Sequence, residues 1–149
     1  MTPTTQAILL VEDSSADVYL IRRAVEECGR DLQLWIMADG PEALMFLRKN
    51  PPLTHVPTPA LIILDMSLPK MRGTELLSDI RQLPAYHSTP IVILSSTPKE
   101  REEVYCLQLG ANAYVQKVTN FYAYFADIKA IVRHWLEKDQ EAARKSPVG

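Results

Sequence analysis

The chain has 149 residues, 47% of them hydrophobic, and a formal net charge of −2. This length matches one ordinary domain with its own core and leaves little room for a second. The small negative charge offers no basic surface to nucleic acid or to an anionic membrane, so we expect neither as a partner. Cys28 and Cys106 form no CxxC pair, and the polar N-terminus does not match a signal peptide. Together these features favour a reducing, cytoplasmic location.

The first part of the sequence predicts two strands, each followed by a helix. The continuous apolar run 7–11 is typical of a strand buried on both faces. Ser15 is then a good N-cap for a helix that Gly29 ends. A weakly alternating run, 32–38, predicts a second strand, and Pro41 occupies a favoured first-turn position in a short second helix.

The remainder of the sequence continues this alternation. Prolines between 50 and 59 predict an exposed loop, and further strands are predicted at 61–64, 91–94 and 113–115, each followed by residues at helical spacing. The core-facing stripe of the last helix is predicted to consist of Phe121, Phe125, Ile128, Val132 and Trp135. We expect a disordered segment at 1–6, one domain at 7–137 and a frayed tail at 138–149. Five strands alternating with five helices predict an α/β domain whose parallel sheet is covered on both faces.

Polar residues follow the carboxyl ends of four predicted strands. Glu12 and Asp13, Asp65, Ser95 and Lys117 each occupy such a position, and open parallel sheets bind ligands at this edge. Crowded carboxylates repel one another, and a divalent cation with a preference for oxygen, such as Mg²⁺, relieves that repulsion. A carboxylate beside such a metal can form an aspartyl phosphate, with lysine and hydroxyl groups contacting the phosphoryl oxygens.

Several motifs, in order and at regular spacing, carry a family resemblance. They are Leu-Val-Glu-Asp at 10–13, Leu-Asp-Met-Ser-Leu-Pro at 64–69 with Gly73, Pro-Ile-Val-Ile-Leu-Ser-Ser at 90–96, Gly-Ala at 110–111 and Tyr-Val-Gln-Lys at 114–117. Over 7–136 the chain resembles the receiver (chemotaxis-regulator-like) family of bacterial response regulators. The resemblance implies a flavodoxin-like fold with a five-stranded parallel sheet of order 2-1-3-4-5.

The resemblance also implies roles around a phosphorylation site. Asp65 matches the phosphoacceptor and Asp13 a direct ligand of Mg²⁺, whereas Glu12 matches the acid that acts through metal-bound water. Ser67 matches the position whose backbone carbonyl binds the metal. Lys117 matches the essential lysine of the family.

Two further positions match the residues through which the family switches. Ser95 matches the hydroxyl residue that contacts the phosphoryl group, and Tyr114 matches the aromatic switch. One departure follows Lys117, where the family usually has proline and this chain has Val118. A cis bond at a residue other than proline costs about 2.5–4 kcal/mol, so a trans bond and a differently shaped loop are expected here.

A narrower resemblance concerns the partner. The segment 11–20, the proline-rich loop and the Lys117–Val118 junction resemble small single-domain regulators that partner phytochrome-type sensor kinases. This implies a switch, rather than an enzyme, that accepts a phosphoryl group from a sensor histidine kinase. Because no DNA-binding or catalytic domain is predicted after Leu136, we expect its output to be protein–protein interaction.

Each of these residues also has a plainer interpretation. Asp65 alone could cap a turn, Lys117 alone is more often a solvated surface lysine, and Tyr114 is explained equally well by packing in the core. A receiver-like interaction domain that is never phosphorylated is disfavoured by the complete acceptor, metal and lysine set. A flavin or nucleotide binder is disfavoured because acids, and no glycine-rich loop, follow the first strand.

The last predicted helix has more large apolar residues than one core-facing stripe needs. The surplus consists of Tyr122, Tyr124, Ile131 and Trp135. Scattered exposed aromatics are tolerated by monomers, but a second buried surface is the simpler explanation. The sequence therefore favours a homodimer through this helix.

Overall fold

The computed structural model describes residues 6–28, 31–49 and 58–145. Its elements in chain order are β1 (Gln6–Val11), α1 (Ser15–Glu26), β2 (Leu32–Met37), α2 (Gly40–Lys49), β3 (Leu61–Asp65), α3 (Gly73–Arg81), a short 3-10 helix (Pro84–Tyr86), β4 (Ile91–Ser95), α4 (Lys99–Gln108), β5 (Ala113–Gln116) and α5 (Phe121–Lys145). The strands form one parallel sheet in the order β2-β1-β3-β4-β5. This confirms the α/β prediction and its flavodoxin-like strand order.

The sheet separates two apolar layers because its central strands point alternate side chains to opposite faces. Leu9 of β1 packs with α2, α3 and α4 on one face, whereas Ile8 and Leu10 pack with α1 and α5 on the other. Strands β1, β3 and β4 are buried along their whole length. Each fully buried aliphatic side chain stabilises the fold by about 1.5–3 kcal/mol, which explains the continuous apolar runs in the sequence.

The start of α1 differs by one residue from the prediction. Ser14, and not Ser15, is the N-cap, and its Oγ accepts a hydrogen bond of 3.3 Å from the backbone N–H of Asp17. The helix ends at Glu26, and Gly29, the predicted terminator, lies outside the described residues. Neighbouring serines have almost equal capping preference, so composition alone could not choose between them.

The first strand, β1, begins one residue before its predicted start. Gln6, expected within a disordered segment, opens β1 and is buried. Its side-chain nitrogen donates hydrogen bonds to the Leu136 carbonyl at 3.2 Å and to Asp139 Oδ2 at 3.0 Å. The beginning of the sheet is thereby tied to the later part of α5.

The prediction of which α5 residues face the core was partly wrong. Phe121 is 55% exposed, whereas the buried positions among the described side chains of α5 are Tyr124, Ile128, Val132 and Leu136. Phe125 and Trp135 are only partly buried. The helix continues past Glu137 to Lys145, into the segment that was expected to fray. The domain limits of 7 and 137 stay a prediction.

Arg81 at the end of α3 joins the loops before β4 and β5. It donates hydrogen bonds of 2.7–2.9 Å to the carbonyl oxygens of Tyr86, Thr89 and Gly110 and to Oδ1 of Asn112. Gly110 has a φ of 113°, a backbone conformation that side chains with a Cβ rarely adopt. Together these interactions fix where β5 begins, and hence where its carboxyl end lies.

Two loop features complete the description. Of the predicted proline-rich loop, residues 50–57 lie outside the described part, and Pro59 is buried rather than exposed. Among the described residues, no helix has the length and apolar character needed to cross a membrane.

Candidate functional site

Three carboxylates meet at the carboxyl ends of β1 and β3. These strands pair with Val11 beside Leu64, so the residues that follow them, Glu12 and Asp13, lie next to Asp65. One carboxylate oxygen of each residue lies within 4.8 Å of the others. Glu12 is 1% exposed and Asp65 is 5% exposed, whereas Asp13 faces solvent. The three predicted acidic residues therefore form one cluster, open on the Asp13 side.

Lys117 reaches this cluster from the carboxyl end of β5. Its Nζ lies 3.1 Å from Asp65 Oδ1, 3.1 Å from Glu12 Oε2 and 3.0 Å from Asp17 Oδ2. Its backbone N–H donates to the Ser95 carbonyl at 2.7 Å, which continues the pairing of β4 with β5 beyond the last strand residue. The side chain is 17% exposed, so the plainer interpretation of a solvated surface lysine is wrong.

Negative charge exceeds positive charge at this edge of the sheet. Among the residues that the structure describes, the ion pairs and the cluster place Glu12, Asp13, Asp17 and Asp65 around the one ammonium of Lys117. Burial and the nearby charge of Asp65 raise the pKa of Glu12 to about 7, against the lowering effect of a backbone hydrogen bond and of Lys117. Burial alone would lower the pKa of Lys117, but the hydrogen bond to Asp17 and the charges of Glu12 and Asp65 raise it above its usual range. A bound cation would relieve this imbalance.

The donor set fits a divalent cation that prefers oxygen. Glu12, Asp13 and Asp65 offer carboxylate oxygens, the ligands that Mg²⁺ accepts while it keeps several waters. Because Asp13 faces solvent, such waters can reach the open side of the cluster. Ser67 is exposed two positions after Asp65, in the loop that leaves β3.

The loop after β3 is held close to the strand that it leaves. A Cβ on Gly73 would lie 2.6 Å from the carbonyl oxygen of Asp65 and 2.8 Å from the Cα of Met66, so only glycine fits. The Gly73 N–H donates to the Met66 carbonyl at 3.1 Å. Lys70 in this loop has a φ of 68° and forms an ion pair of 3.3 Å with Asp39. These contacts fix the backbone beside the phosphoacceptor candidate.

The two predicted switch residues, Ser95 at the end of β4 and Tyr114 near the start of β5, both contact Thr97. Ser95 is 2% exposed, and its Oγ accepts a hydrogen bond of 3.0 Å from the Thr97 backbone N–H. Tyr114 is 6% exposed and donates its hydroxyl to the Thr97 carbonyl at 2.8 Å. Burial raises the pKa of the Tyr114 hydroxyl, which keeps it a donor. Tyr114 is thus packed in the core in this structure, as its plainer interpretation required.

A cavity of about 350 Å³ lies beside the loop that follows β3, between α3 and α4. It is lined by Met66, Ser67, Leu68, Arg72, Thr74, Thr97, Glu102 and Tyr105. Ser67 thus shares a surface depression with Thr97, the residue that both Ser95 and Tyr114 contact. The loop after β3 and the loop after β4 therefore border the same opening.

Two residues of the site were missed from the sequence. Asp17 lies in the first turn of α1 and was not predicted to have a role at the site, yet its carboxylate contacts Lys117. Tyr124 was assigned to an outer surface, yet it is buried and its hydroxyl donates to Asp17 Oδ1 at 3.2 Å. The position of Asp17 in the first turn of a helix that begins directly after Glu12 and Asp13 is the signal that could have placed it at this edge.

Comparison with known proteins agrees with this geometry. Residues 8–129 match the family model of the response regulator receiver domain. Response regulator Rcp1 of Synechocystis sp. is 36% identical over 132 residues, which cover 89% of this chain and 90% of Rcp1.

Two solved structures are also similar. That of the phosphorylated cyanobacterial phytochrome response regulator RcpA has a TM-score of 0.82 and 32% identity, covering 91% of this chain and 96% of RcpA. That of the Mn²⁺-bound form of Rcp1 has a TM-score of 0.79 and 36% identity, covering 89% of this chain and 95% of Rcp1. A family model that spans most of the chain, together with these relatives and this fold, establishes the family: the chain belongs to the response regulator receiver domain family.

Proposed function

We propose that this chain is a Mg²⁺-dependent phosphoacceptor switch that receives a phosphoryl group on Asp65 from a sensor histidine kinase. One observation carries the proposal. The Asp65 carboxylate lies within 4.8 Å of two other carboxylates suited to a metal and 3.1 Å from the ammonium of Lys117. An acceptor oxygen flanked by a cation site and a fixed donor is what phosphoryl transfer requires.

Transfer of the phosphoryl group from a phosphohistidine to Asp65 needs no other reactant. An Asp65 carboxylate oxygen attacks the phosphorus of a phosphohistidine on the kinase, and an O–P bond forms as the P–N bond breaks. The electron pair of the broken bond leaves with the imidazole nitrogen. The ammonium of Lys117 donates to a phosphoryl oxygen as charge develops on it.

A bound Mg²⁺ would supply the positive charge that the phosphoryl oxygens need. Its proposed ligands are Asp13 and Asp65 directly, the backbone carbonyl of Ser67, and Glu12 through water. The charge excess at the cluster supports a cation there, and one similar structure, of Rcp1, is described as Mn²⁺-bound. Identification of Mg²⁺ rests on its preference for this donor set.

Switching is proposed to run through Ser95 and Tyr114. The Ser95 hydroxyl would leave the Thr97 backbone N–H, which it accepts from at 3.0 Å, and donate to the phosphoryl group. Thr97 also accepts the Tyr114 hydroxyl at 2.8 Å, so a shift of this loop changes the position of Tyr114. The surface formed by α4, β5 and α5 would then differ between the two states.

A phytochrome-type sensor kinase is the proposed partner. The support is similarity to Rcp1 over most of both chains and to RcpA, which is described as a cyanobacterial phytochrome response regulator. Acting beside such a kinase in the cytoplasm, the protein would signal by binding other proteins. It would act on no substrate other than its own phosphoryl group.

A homodimer through α5 is part of the proposal, with a corrected surface. Tyr124 is buried inside the protomer and cannot contribute, and Ile131 and Trp135 are already partly packed against the core. The free aromatic surface is instead formed by Phe121 and Tyr122, which are 55% and 82% exposed. Stacked and edge contacts of Phe121 with its neighbours make this surface continuous.

Phosphorylation by acetyl phosphate tests the central claim. With Mg²⁺ present, intact-mass spectrometry of the wild-type protein should show one added phosphoryl group, and Asp65→Asn should show none. Asp127→Asn, at an exposed position on α5, is the matched control and should behave as wild type. Uptake at the wild-type rate by Asp65→Asn would contradict the assignment, and uptake by no variant would favour an unphosphorylated interaction domain.

A further inference from the structure

The ammonium of Lys117 has three N–H donors, and three carboxylates surround it. Two of these, Glu12 and Asp65, belong to the acidic cluster that fits a metal. The third, Asp17, lies outside that cluster, and its Oδ2 accepts from Lys117 Nζ at 3.0 Å. Among the residues that the structure describes, Asp17 is therefore the one ion-pair partner of the lysine that is not also a metal-ligand candidate.

The other oxygen of Asp17 is held by a different helix. Its Oδ1 accepts a hydrogen bond of 3.2 Å from the hydroxyl of Tyr124, a residue of α5 that is 6% exposed. The backbone N–H of Asp17 is bound to the N-cap, Ser14. The carboxylate is thus fixed at both oxygens and at its own backbone, in the first turn of α1.

From this arrangement we propose that Asp17 is a positioning residue for Lys117 in phosphoryl transfer to Asp65, and that Tyr124 holds Asp17 in place. The proposal rests on the function proposed above for Asp65. It assigns a role to two residues that neither touch the reacting atoms nor ligate the metal.

The physical reason is what happens to the lysine when the cluster is occupied. Glu12 and Asp65 would turn their oxygens towards a divalent cation bound at the cluster, and a phosphoryl group on Asp65 would alter the position of its charge. A lysine side chain carries about 2 kcal/mol of rotamer entropy, so without a fixed anchor it would sample many positions. Asp17, which is not part of the acidic cluster, would keep one N–H of the lysine engaged and leave the other two for the phosphoryl oxygens.

Tyr124 can act only through Asp17 in this scheme. Burial and the charge of Asp17 raise the pKa of its hydroxyl, so the hydroxyl remains protonated and donates. Without it, Asp17 Oδ1 loses this hydrogen bond, and among the described residues Lys117 remains as the side chain that holds the carboxylate, through Oδ2. The effects of Asp17→Asn and Tyr124→Phe should therefore overlap and not multiply.

Kinetics of phosphorylation by acetyl phosphate separate positioning from folding. An Asp65 oxygen attacks the phosphorus, the O–P bond forms, and acetate leaves with the electron pair of the broken bond. At saturating Mg²⁺ and donor, Asp17→Asn should lower the maximum rate about tenfold, whereas its Mg²⁺ affinity by calorimetry should change by less than about threefold. Tyr124→Phe should lower the maximum rate less, and the double variant should equal Asp17→Asn.

A second ion pair between the same two helices provides the control. Glu27, the C-cap of α1, accepts from Lys129 at 3.1 Å and so joins α1 to α5 at the opposite end of α1 from Asp17. Glu27→Gln removes the same charge type from the same helix pair and should leave the maximum rate at the wild-type value. Urea unfolding of all variants shows whether Asp17→Asn folds, and Tyr124→Phe carries the test if it does not.

The outcomes are distinct. An Asp17→Asn maximum rate within about twofold of wild type, or a faster one, overturns the positioning role. A double variant much slower than Asp17→Asn overturns the link through Tyr124. If wild type accepts no phosphoryl group, the proposed function fails and this proposal fails with it, whereas wild-type uptake that ceases in Asp65→Asn preserves the function whatever Asp17 does.

Discussion

Lys117 Nζ lies 3.1 Å from Asp65 Oδ1, although β4 lies between β3, which Asp65 ends, and β5, which Lys117 follows. The lysine side chain crosses the end of β4 and enters a group of carboxylates. Its charge is the main compensation for buried Glu12 and Asp65 when no metal is bound. Lysine and metal are consequently alternative sources of positive charge for the same oxygens.

The first prediction concerns this compensation. Lys117→Ala should destabilise the metal-free protein by about 3 kcal/mol, because removing one partner of a buried ion pair leaves the others uncompensated. Mg²⁺ should then stabilise the variant more than it stabilises wild type, since the cation replaces the missing charge. Urea unfolding in chelator and in Mg²⁺ measures both effects. Equal stabilisation of the two proteins by Mg²⁺ would contradict the claim that Lys117 and the metal supply positive charge to the same carboxylates.

The second prediction is a pH dependence caused by Glu12. Its pKa is raised from about 4.5 to about 7 by burial first, and then by the charge of Asp65. Between these values the folded state holds a proton that the unfolded state has lost, so stability falls as the pH rises from about 4.5 to about 7. A shift of this size corresponds to about 3 kcal/mol.

Glu12→Gln removes this titration and provides the comparison. In the absence of metal, the stability of wild type relative to Glu12→Gln should decline across that pH window, and the decline should end above it. Urea unfolding at several pH values in chelator gives the difference. Parallel pH profiles for the two proteins would show that Glu12 keeps an ordinary pKa.

The third prediction concerns the glycine behind the phosphoacceptor. Gly73→Ala should cost about 1–3 kcal/mol of stability, because its Cβ would meet backbone atoms of Asp65 and Met66 that cannot move independently of β3. Gly40→Ala, also at the first residue of a helix, is the control. Its Cβ would meet only the flexible side chain of Met71, so its cost should be smaller. If denaturant unfolding shows that the two substitutions lower stability by similar amounts, the backbone at Asp65 moves readily to accommodate the added Cβ.

Much of the site could be predicted because strand ends are visible in the sequence. Apolar runs located the ends of β1, β3, β4 and β5, and the parallel topology then brought Asp65 and Lys117 to one edge. Asp17 and Tyr124 could not be paired in this way, since they are 107 residues apart and on helices. A tyrosine is buried when its hydroxyl finds a partner, and the partner is known only once α1 and α5 are packed together.

The choice of which face of α5 is buried also could not be made from the sequence alone. Phe121, Phe125, Ile128 and Val132 fit a helical stripe, but so do Tyr124, Ile128, Val132 and Leu136. Both sets have helical spacing, and only docking on the sheet selects the second. The prediction placed Tyr124 on the proposed dimer surface and Phe121 in the core, whereas in the structure Tyr124 is buried and Phe121 is exposed.

The last prediction tests the dimer on its corrected surface. Phe121 and Tyr122 are 55% and 82% exposed, and large exposed aromatics that contact one another are typical anchors of interfaces. A Phe121→Arg, Tyr122→Arg double variant should weaken self-association at least about tenfold, because two charges would replace apolar area across a twofold axis.

The control for this variant is another exposed tyrosine. Tyr19 on α1 is 62% exposed, so Tyr19→Arg introduces the same residue on a different face and should leave association unchanged. Sedimentation velocity of all three proteins, with and without beryllofluoride as a phosphoryl mimic, measures the effect in both states. A difference between the states would show that Asp65 and α5 are coupled, with a size set by the contacts that each state adds. Wild-type protein that stays monomeric at high micromolar concentration in both states would end the dimer proposal and leave the chemistry at Asp65 unaffected.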